Sequence, residues 1–437
     1  MCCTVIKLHG RKGSGIVMEN VLHIAAHLGG GAGKAISGLA IGMQEYFNNK
    51  ILLLEEPENM HYVNVCNQQK IEVTVSADLD IIKSMVADAD YVVFSWWGHP
   101  LSVEVFNALS EVESRVFLWS HINGLYYPVM TGKFIAMFDG AMFTSKCSYE
   151  NSHWTEEERQ QIVESTKLIY GIGDFKPVDV KHKSSYDVDK SFNIGYAGTV
   201  NYNKMNENFP EICSRIKREI PNAEFYFYGK YDEDVYLSFV DYDRCLGESI
   251  HFEGYVDNLQ ECLTNLDVFC YPLTSHNFAT TENALLEAMA AGLPAVVFNN
   301  PAERNIIEHN YNGFIANDIE EMVANVIALY NDYTLAEKIG SNARKYTIDN
   351  YDSYINAKKC VEYIKSFDNK EKDKHDFVDV IGSKAGDYFL FFANMNLEEY
   401  KTRYLTLDEI FYGNTKGSVV HYKKYYSDEI LEELTEI

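Results

Sequence analysis

Along the first third of the chain, short apolar runs alternate with stretches of helical spacing. The runs are VLHIAA (21–26), ILLLEE (51–56), YVVFSWW (91–97), RVFLWSH (115–121) and AMFTS (141–145). They are nearly continuous rather than alternating, the pattern of strands buried on both faces, and they predict a parallel sheet covered by helices. The segment 171–191 is polar, contains Gly and Pro and has no period, so it reads as a linker. The rhythm then restarts, with strands at FNIGYAG (192–198), AEFYFYG (223–229), SIHFEG (249–254), DVFCYP (267–272) and PAVVF (294–298). Helices are predicted at about 207–219, 258–265, 281–291, 318–331 and 334–346. Two such series imply an α/β chain of two doubly wound domains, 1–175 and 192–345, with a cleft between them. Between Asn350 and Phe367, apolar residues at Tyr354, Ile355, Cys360, Val361 and Ile364 predict a helix crossing back to the first domain, within 346–367. Residues 368–437 open with a charge run and turn Tyr- and Phe-rich, which predicts a folded appendage of unassigned fold.

Composition narrows the function classes. Of 437 residues, 46% are hydrophobic and 23% charged, as in a folded globular protein. Lys and Arg number 38 against 64 Asp and Glu, a net charge of −26 with the acidic excess spread over the whole chain. That balance disfavours nucleic acid and makes peripheral contact with an anionic membrane unfavourable. An anionic ligand must then be held by a few placed cations and backbone amides. No apolar run approaches the roughly 18 residues of a membrane span, and MCCTVIKLHGRKGSG lacks the apolar core of a secretory signal. Nine scattered cysteines read as reduced thiols in a cytoplasmic protein, without disulfides or a zinc site.

Two motifs bear chemistry. HLGGGAGKA (27–35) follows a strand and opens a helix, so Gly30 and Gly31 let backbone approach a ligand while the helix N-terminus offers free amides. It matches neither a P-loop nor GxGxxG, and a plain strand–helix turn is the alternative. In TTENALLEAMAAGLPAVVFNNPAE (280–303), Thr280 or Thr281 suits an N-cap, Gly292 a C-terminal stop, and Ala284, Leu285, Ala288 and Met289 a core stripe. Asn283 and Glu287 lie off that stripe, one turn apart. A carboxylate there can accept hydrogen bonds from vicinal ribose hydroxyls, although a solvated helix face is the bland reading. The triplets Asp78-Leu79-Asp80 and Asp187-Val188-Asp189 follow no buried strand directly and are assigned no metal.

The segment from VDNLQECLTNLDVFCYPLTS through TTENALLEAMAAGLPAVVFNNPAERNIIEHNYNGFIAND resembles the donor half of retaining, nucleotide-sugar-dependent glycosyltransferases of family four, which have the GT-B fold of two Rossmann-like domains. The likeness spans roughly 20–365 and extends to NIGYAGTVNYNK, IHFEGYVDNL, LHIAAHLGGGAGKA and WSHINGLYYP. It implies a cytoplasmic, metal-independent enzyme of glycan assembly that moves a hexose or N-acetylhexosamine from a UDP- or GDP-linked donor to a glycan, lipid-linked or protein acceptor, with no further cofactor. Residue by residue, Glu287 matches the ribose-binding second Glu of the family's E-x7-E motif. Lys204 matches the lysine on the donor diphosphate, and His121 the histidine near the donor sugar. Gly30, Gly31, Asn283, Thr280 and Thr281 fall on the donor side of the same resemblance.

Two positions depart from the pattern. The first Glu of E-x7-E is Ala279, and Glu282, or loop 275–281 through its amides, Ser275, His276 or Asn277, is the substitute. The arginine of the phosphate turn is Thr199, where Tyr202 or Asn203 would supply hydrogen bonds instead. These departures favour one rival to the enzyme, a GT-B binding protein without turnover; a second rival is another GT-B enzyme, such as a sugar-nucleotide epimerase, which would need acid/base carboxylates flanking the sugar.

Overall fold

The computed structural model describes residues 18–172, 190–242, 246, 248–256, 258–275, 277–403 and 417–436. Most of the 171–191 linker, Asp187, Asp189, His276, and Cys2, Cys3 and Cys245 lie outside the described residues.

The apolar runs form two separate parallel sheets. The first holds β1 (Asn20–Ala25), β2 (Asn48–Leu53), β3 (Glu72–Val75), β4 (Tyr91–Trp96), β5 (Val116–Ser120), β6 (Gly140–Phe143) and β7 (Lys167–Leu168), in the order β3-β2-β1-β4-β5-β6-β7. The second holds β8 (Phe192–Ala197), β9 (Ala223–Tyr228), β10 (Ile250–Gly254), β11 (Val268–Tyr271), β12 (Ala295–Phe298) and β13 (Phe314–Ala316), in the order β10-β9-β8-β11-β12-β13. In both sheets the order reverses beside the first strand, which opens a crevice at the strands' C-terminal ends. The central strands are buried on both faces: every residue of β4, β5, β11 and β12 is buried.

Five elements differ from the sequence reading. β3 is a half-buried edge strand of EVTV, β7 has two residues and β13 three, too short to leave a period. Helix Glu233–Tyr242 buries only Val235 and Phe239 in an aromatic-rich, strand-like stretch. The crossover helix Ser353–Lys365 forms, but on a rotated face. Asn356, Ala357, Cys360, Val361, Tyr363 and Ile364 are buried, whereas Tyr354 and Ile355 are half exposed. Its contacts are with the first sheet's layer. Ala357 lies beside Gly42, Tyr363 Oη donates to the Ser165 carbonyl at 2.7 Å, and Asn356 bonds both the amide and the carbonyl of Tyr170.

The appendage is helical, with segments Phe377–Ile381, Ala385–Ala393, Leu397–Arg403, Val419–Tyr422 and Glu429–Thr435. Its aromatic residues complete the first domain's core. Tyr388 stacks on Phe106 with centroids 5.2 Å apart, Phe392 lies 5.0 Å from Trp96, and Phe377, Tyr400 and Tyr422 belong to the same buried cluster. No described helix is long and apolar enough to cross a membrane.

At the second crevice, β8 and β9 end in Gly198 and Gly229, both at positive φ (142° and 145°). A Cβ at Gly229 would stand 1.9 Å from the Gly198 carbonyl oxygen, so only glycine lets these strand ends meet. Gly229→Ala is expected to lose about 2–4 kcal/mol of stability, read as a lowered urea midpoint, because steric overlap and a left-handed strain act together.

Candidate functional site

The turn after β8 places Lys204. Its carbonyl accepts from the Thr274 amide at 2.9 Å, tying the turn to the end of β11. The ammonium lies 3.1 Å from Glu282 Oε2 and 5.6 Å from the centroid of Tyr271, whose hydroxyl donates to the same carboxylate oxygen. Glu282 precedes the helix Asn283–Ala290 in the N-cap position, yet its side chain makes no capping bond. The helix stops as expected in a Schellman turn. The Gly292 and Leu293 amides donate to Met289 and Ala288 carbonyls, with Gly292 at φ 86°.

Neither threonine caps this helix. Thr280 Oγ1 donates to the His121 carbonyl at 3.3 Å, and Thr281 Oγ1 donates to the Thr144 carbonyl while accepting from the Gly171 amide at 3.1 Å. Both therefore face the ends of the first sheet, where unpaired strand-end carbonyls outcompete the helix amides. Asn123 completes this junction. Its amide donates to the Phe278 carbonyl, and Nδ2 donates to the carbonyls of Asn277 (2.8 Å) and Ala279 (3.1 Å). Asn277 turns inward onto Thr274 and Ala279, so its side chain and three of the loop's carbonyls are already engaged. Ala279 is 8% exposed in this interface, where a longer acidic side chain would be desolvated.

Across the crevice stands the helix Gly30–Gly42. Gly29 is its N-cap, and the exposed Gly30 and Gly31 form its first turn. A Cβ at Gly31 would stand 3.4 Å from Asn283 Nδ2, which donates to the Gly171 carbonyl. One turn along, Lys34 is ion-paired with Glu287. Thr199 and Asn203 lie exposed in the Lys204 turn, and the Tyr202 hydroxyl bonds to Ser238.

His121 ends β5 with its ring 4.4 Å from that of Trp119, and burial lowers its pKa to about 3, so the imidazole is neutral. Its Nε2 and Asn283 Oδ1 are both buried without a hydrogen-bond partner. Behind Glu282 lies Glu303, fully buried, with Oε1 3.0 Å from Asn300 Nδ2 and Oε2 unpartnered. Burial pushes its carboxyl up against the Asn300 hydrogen bond, the Glu282 charge adds to the rise, and the pKa reaches about 7.

The structure thus gathers Gly30, Gly31, Thr280, Thr281, Glu282, Asn283, Glu287, Lys204 and His121 at one crevice. Thr199 and Asn203 sit at its rim. Lys34, Asn123, Tyr271 and Glu303 escaped the sequence reading. Lys34 and Glu303 lie inside the motifs already singled out, but Lys34 pairs with a residue 253 positions away, and the place of Glu303 behind Glu282 is set by the fold. Among the described residues, no group of three or more His, Cys, Asp or Glu is arranged to hold a metal ion. Asp78 instead caps its helix by accepting from the Asp80 and Ile81 amides.

Comparison with known proteins agrees with this architecture. The family described as Glycosyl transferases group 1 matches residues 191–332. EpsD of Bacillus subtilis (strain 168), provisionally named a glycosyltransferase, is 27% identical over 236 residues, covering 51% of this chain and 59% of EpsD. The poly(ribitol-phosphate) alpha-N-acetylglucosaminyltransferase of Staphylococcus aureus (strain COL) is 22% identical over 202 residues, covering 45% of this chain and 40% of that enzyme. The chain therefore spans less than two thirds of either relative. Anabaena HepE, solved in complex with UDP, superposes with a TM-score of 0.63 at 15% identity, over 80% of this chain and all of HepE. The fold is GT-B, two facing Rossmann-like domains.

Glu303 gives a test of the buried network. Its folded pKa of about 7 exceeds the ordinary 4.5, so the folded state holds the extra proton between these values. Stability from this group is complete below pH 4.5 and declines toward pH 7, by up to about 1.4 kcal/mol per pH unit. Glu303→Gln is expected to flatten that part of the stability–pH curve measured by urea denaturation.

Proposed function

We propose that the chain is a retaining glycosyltransferase that transfers a hexosyl or N-acetylhexosaminyl group from a nucleoside-diphosphate donor to a hydroxyl acceptor, without a metal ion, in glycan assembly in the bacterial cytoplasm. The observation that supports it best is the convergence at one crevice of a lysine, a glycine-opened helix N-terminus and a carboxylate on the facing helix. These groups match the three parts of such a donor. Glu287 accepts hydrogen bonds from the ribose hydroxyls. Lys204 and the first-turn amides of the glycine helix face the diphosphate. Neutral His121, near the sugar, offers hydrogen bonding without adding charge.

In this reading, chemistry is mainly electrostatic. Negative charge grows on the leaving diphosphate as the glycosyl bond breaks, and Lys204 meets it. The acceptor hydroxyl attacks from the face the diphosphate leaves. Glu282 takes the place of the carboxylate missing at Ala279, held by Lys204 and Tyr271 so that one lysine bridges a protein carboxylate and the donor. A uridine nucleotide is the favoured donor base, since HepE, a neighbour in fold, was solved with UDP; a guanosine nucleotide is the alternative.

A second reading, a nucleotide-sugar-binding protein without turnover, draws on Ala279. The position is used to join the domains, and its carbonyl is taken by Asn123. Retained nucleotide binding without nucleotide release from any sugar donor would favour it.

Truncations separate the roles. Glu287→Ala should weaken nucleoside-diphosphate binding by about 1.5–3 kcal/mol in titration calorimetry. Lys204→Ala should raise the barrier by roughly 2.7–4 kcal/mol, lowering turnover more than affinity. Glu282→Ala should alter sugar selectivity. Unchanged affinity in both of the first two variants, with the fold intact, would place the donor elsewhere.

The metal prediction is independent. With a lysine and helix amides opposite the diphosphate, turnover should persist in EDTA. Loss in EDTA with recovery on adding magnesium or manganese would refute it.

A further inference from the structure

A row of rings leads away from His121 along the C-terminal ends of the first sheet's strands. Trp97, after β4, lies 5.8 Å from His121, and His27, after β1, lies 5.4 Å from Trp97. His99 follows at 6.2 Å from His27, and the appendage supplies the end of the row. His421 stands 5.0 Å and Tyr425 5.4 Å from His99. Glu55, after β2, is set among them. Its Oε1 is 3.3 Å from His99 Nε2, and its Oε2 accepts from the Tyr425 hydroxyl at 2.6 Å.

The appendage is fixed in place for this. The Tyr127 hydroxyl donates to the Gly417 carbonyl, and the Gly417 amide donates to His421 Nδ1 at 2.9 Å. His99 and His421 are buried, and the rest of the row is accessible. Tyr425 is 37% exposed, and His27, Trp97 and Glu55 are half-buried. Trp97 is the one tryptophan of four that is not buried.

We propose that this row is an extended acceptor subsite for an uncharged oligosaccharide, with Glu55 and Tyr425 holding the sugar residues remote from the transfer point and His99, buried behind Glu55, as a positioning residue. The proposal rests on the glycosyltransferase reading above. Aromatic faces pack against the apolar C–H face of a pyranose, as in other amphipathic ring contacts. Glu55 has both oxygens oriented by protein donors yet keeps lone pairs for sugar hydroxyls. Burial alone would raise its carboxyl, but hydrogen bonds from His99 and Tyr425, with the charge of His99 and His27, outweigh it and bring the pKa to about 2. It therefore stays an anion at any working pH, an acceptor-only group that suits hydroxyls and repels phosphate. The chain's −26 charge acts in the same sense. The appendage, outside the two sheets, would in this way select acceptors by length.

The test uses the full chain with UDP-glucose, UDP-N-acetylglucosamine and GDP-mannose as donors. Acceptors are methyl glycosides, the trisaccharides maltotriose, chitotriose and laminaritriose, and glycerol phosphate. Binding of the saccharides is also followed through the change in intrinsic tryptophan fluorescence that is lost in Trp97→Phe. Expected are a trisaccharide preferred over its monosaccharide, and a rise in its KM of about tenfold or more in Tyr425→Ala and Glu55→Gln. The monosaccharide KM and the nucleoside-diphosphate Kd should not move, and Tyr425→Phe should retain part of the effect through its ring. Equal trisaccharide KM values in wild type and both variants would overturn the subsite, as would a preference for glycerol phosphate. Nucleoside-diphosphate binding with no saccharide detected by transfer or fluorescence would overturn it too. Absence of nucleoside-diphosphate binding in the wild type would instead remove the glycosyltransferase reading, and the subsite with it.

Discussion

The junction between the two sheets depends on Asn123. One side chain and its own amide engage three consecutive carbonyls of the loop before the Glu287 helix, at Asn277, Phe278 and Ala279. Buried carbonyls need donors, and an amide side chain at a strand end is a compact way to supply several. Thr280 and Thr281 extend the contact to His121 and Thr144. The loop that would otherwise face a ligand is thus partly used as a joint. That explains why residue 279 is alanine: a carboxylate there would lie in a nearly dry interface whose polar atoms are already matched.

Charge at the crevice is arranged as pairs. Lys204 is matched by Glu282 and Lys34 by Glu287, each pair bringing together residues far apart in sequence. In a chain with net charge −26, such pairs keep cations where a diphosphate would need them. They also mean that a ligand must share or displace a carboxylate rather than enter a bare positive site, so its affinity reflects an exchange of partners. Glu303, buried behind Glu282 with one oxygen unpartnered, avoids placing a second full charge in that space by taking up a proton near neutral pH.

The appendage packs on the first domain in two ways. Its aromatic residues complete the core beneath β4, while its last segments bring His421 and Tyr425 over the strand ends. The same packing that buries Tyr388 against Phe106 fixes the position of Tyr425 beside Glu55. A rigid attachment of this kind costs little entropy on binding, because the side chains are held before a ligand arrives.

What the sequence determined by itself was the pair of sheets, because strands buried on both faces must be apolar throughout and leave continuous runs such as YVVFSWW. The turn at Gly292 and the glycine-opened helix were also legible, since each rests on local backbone demands, while Glu287 and Lys204 were named as site candidates by resemblance. Short edge strands such as β7 and the exposed face of the crossover helix left too weak a period to read. Only the tertiary structure decided what the polar side chains near the helix start would do. Thr280 and Thr281 are good caps in sequence, yet strand-end carbonyls of the other domain claimed them, and Glu282 took the cap position while turning to Lys204. Hydrogen-bond choice in a crevice is settled by which partners the fold brings within about 3 Å, and local sequence does not contain those distances.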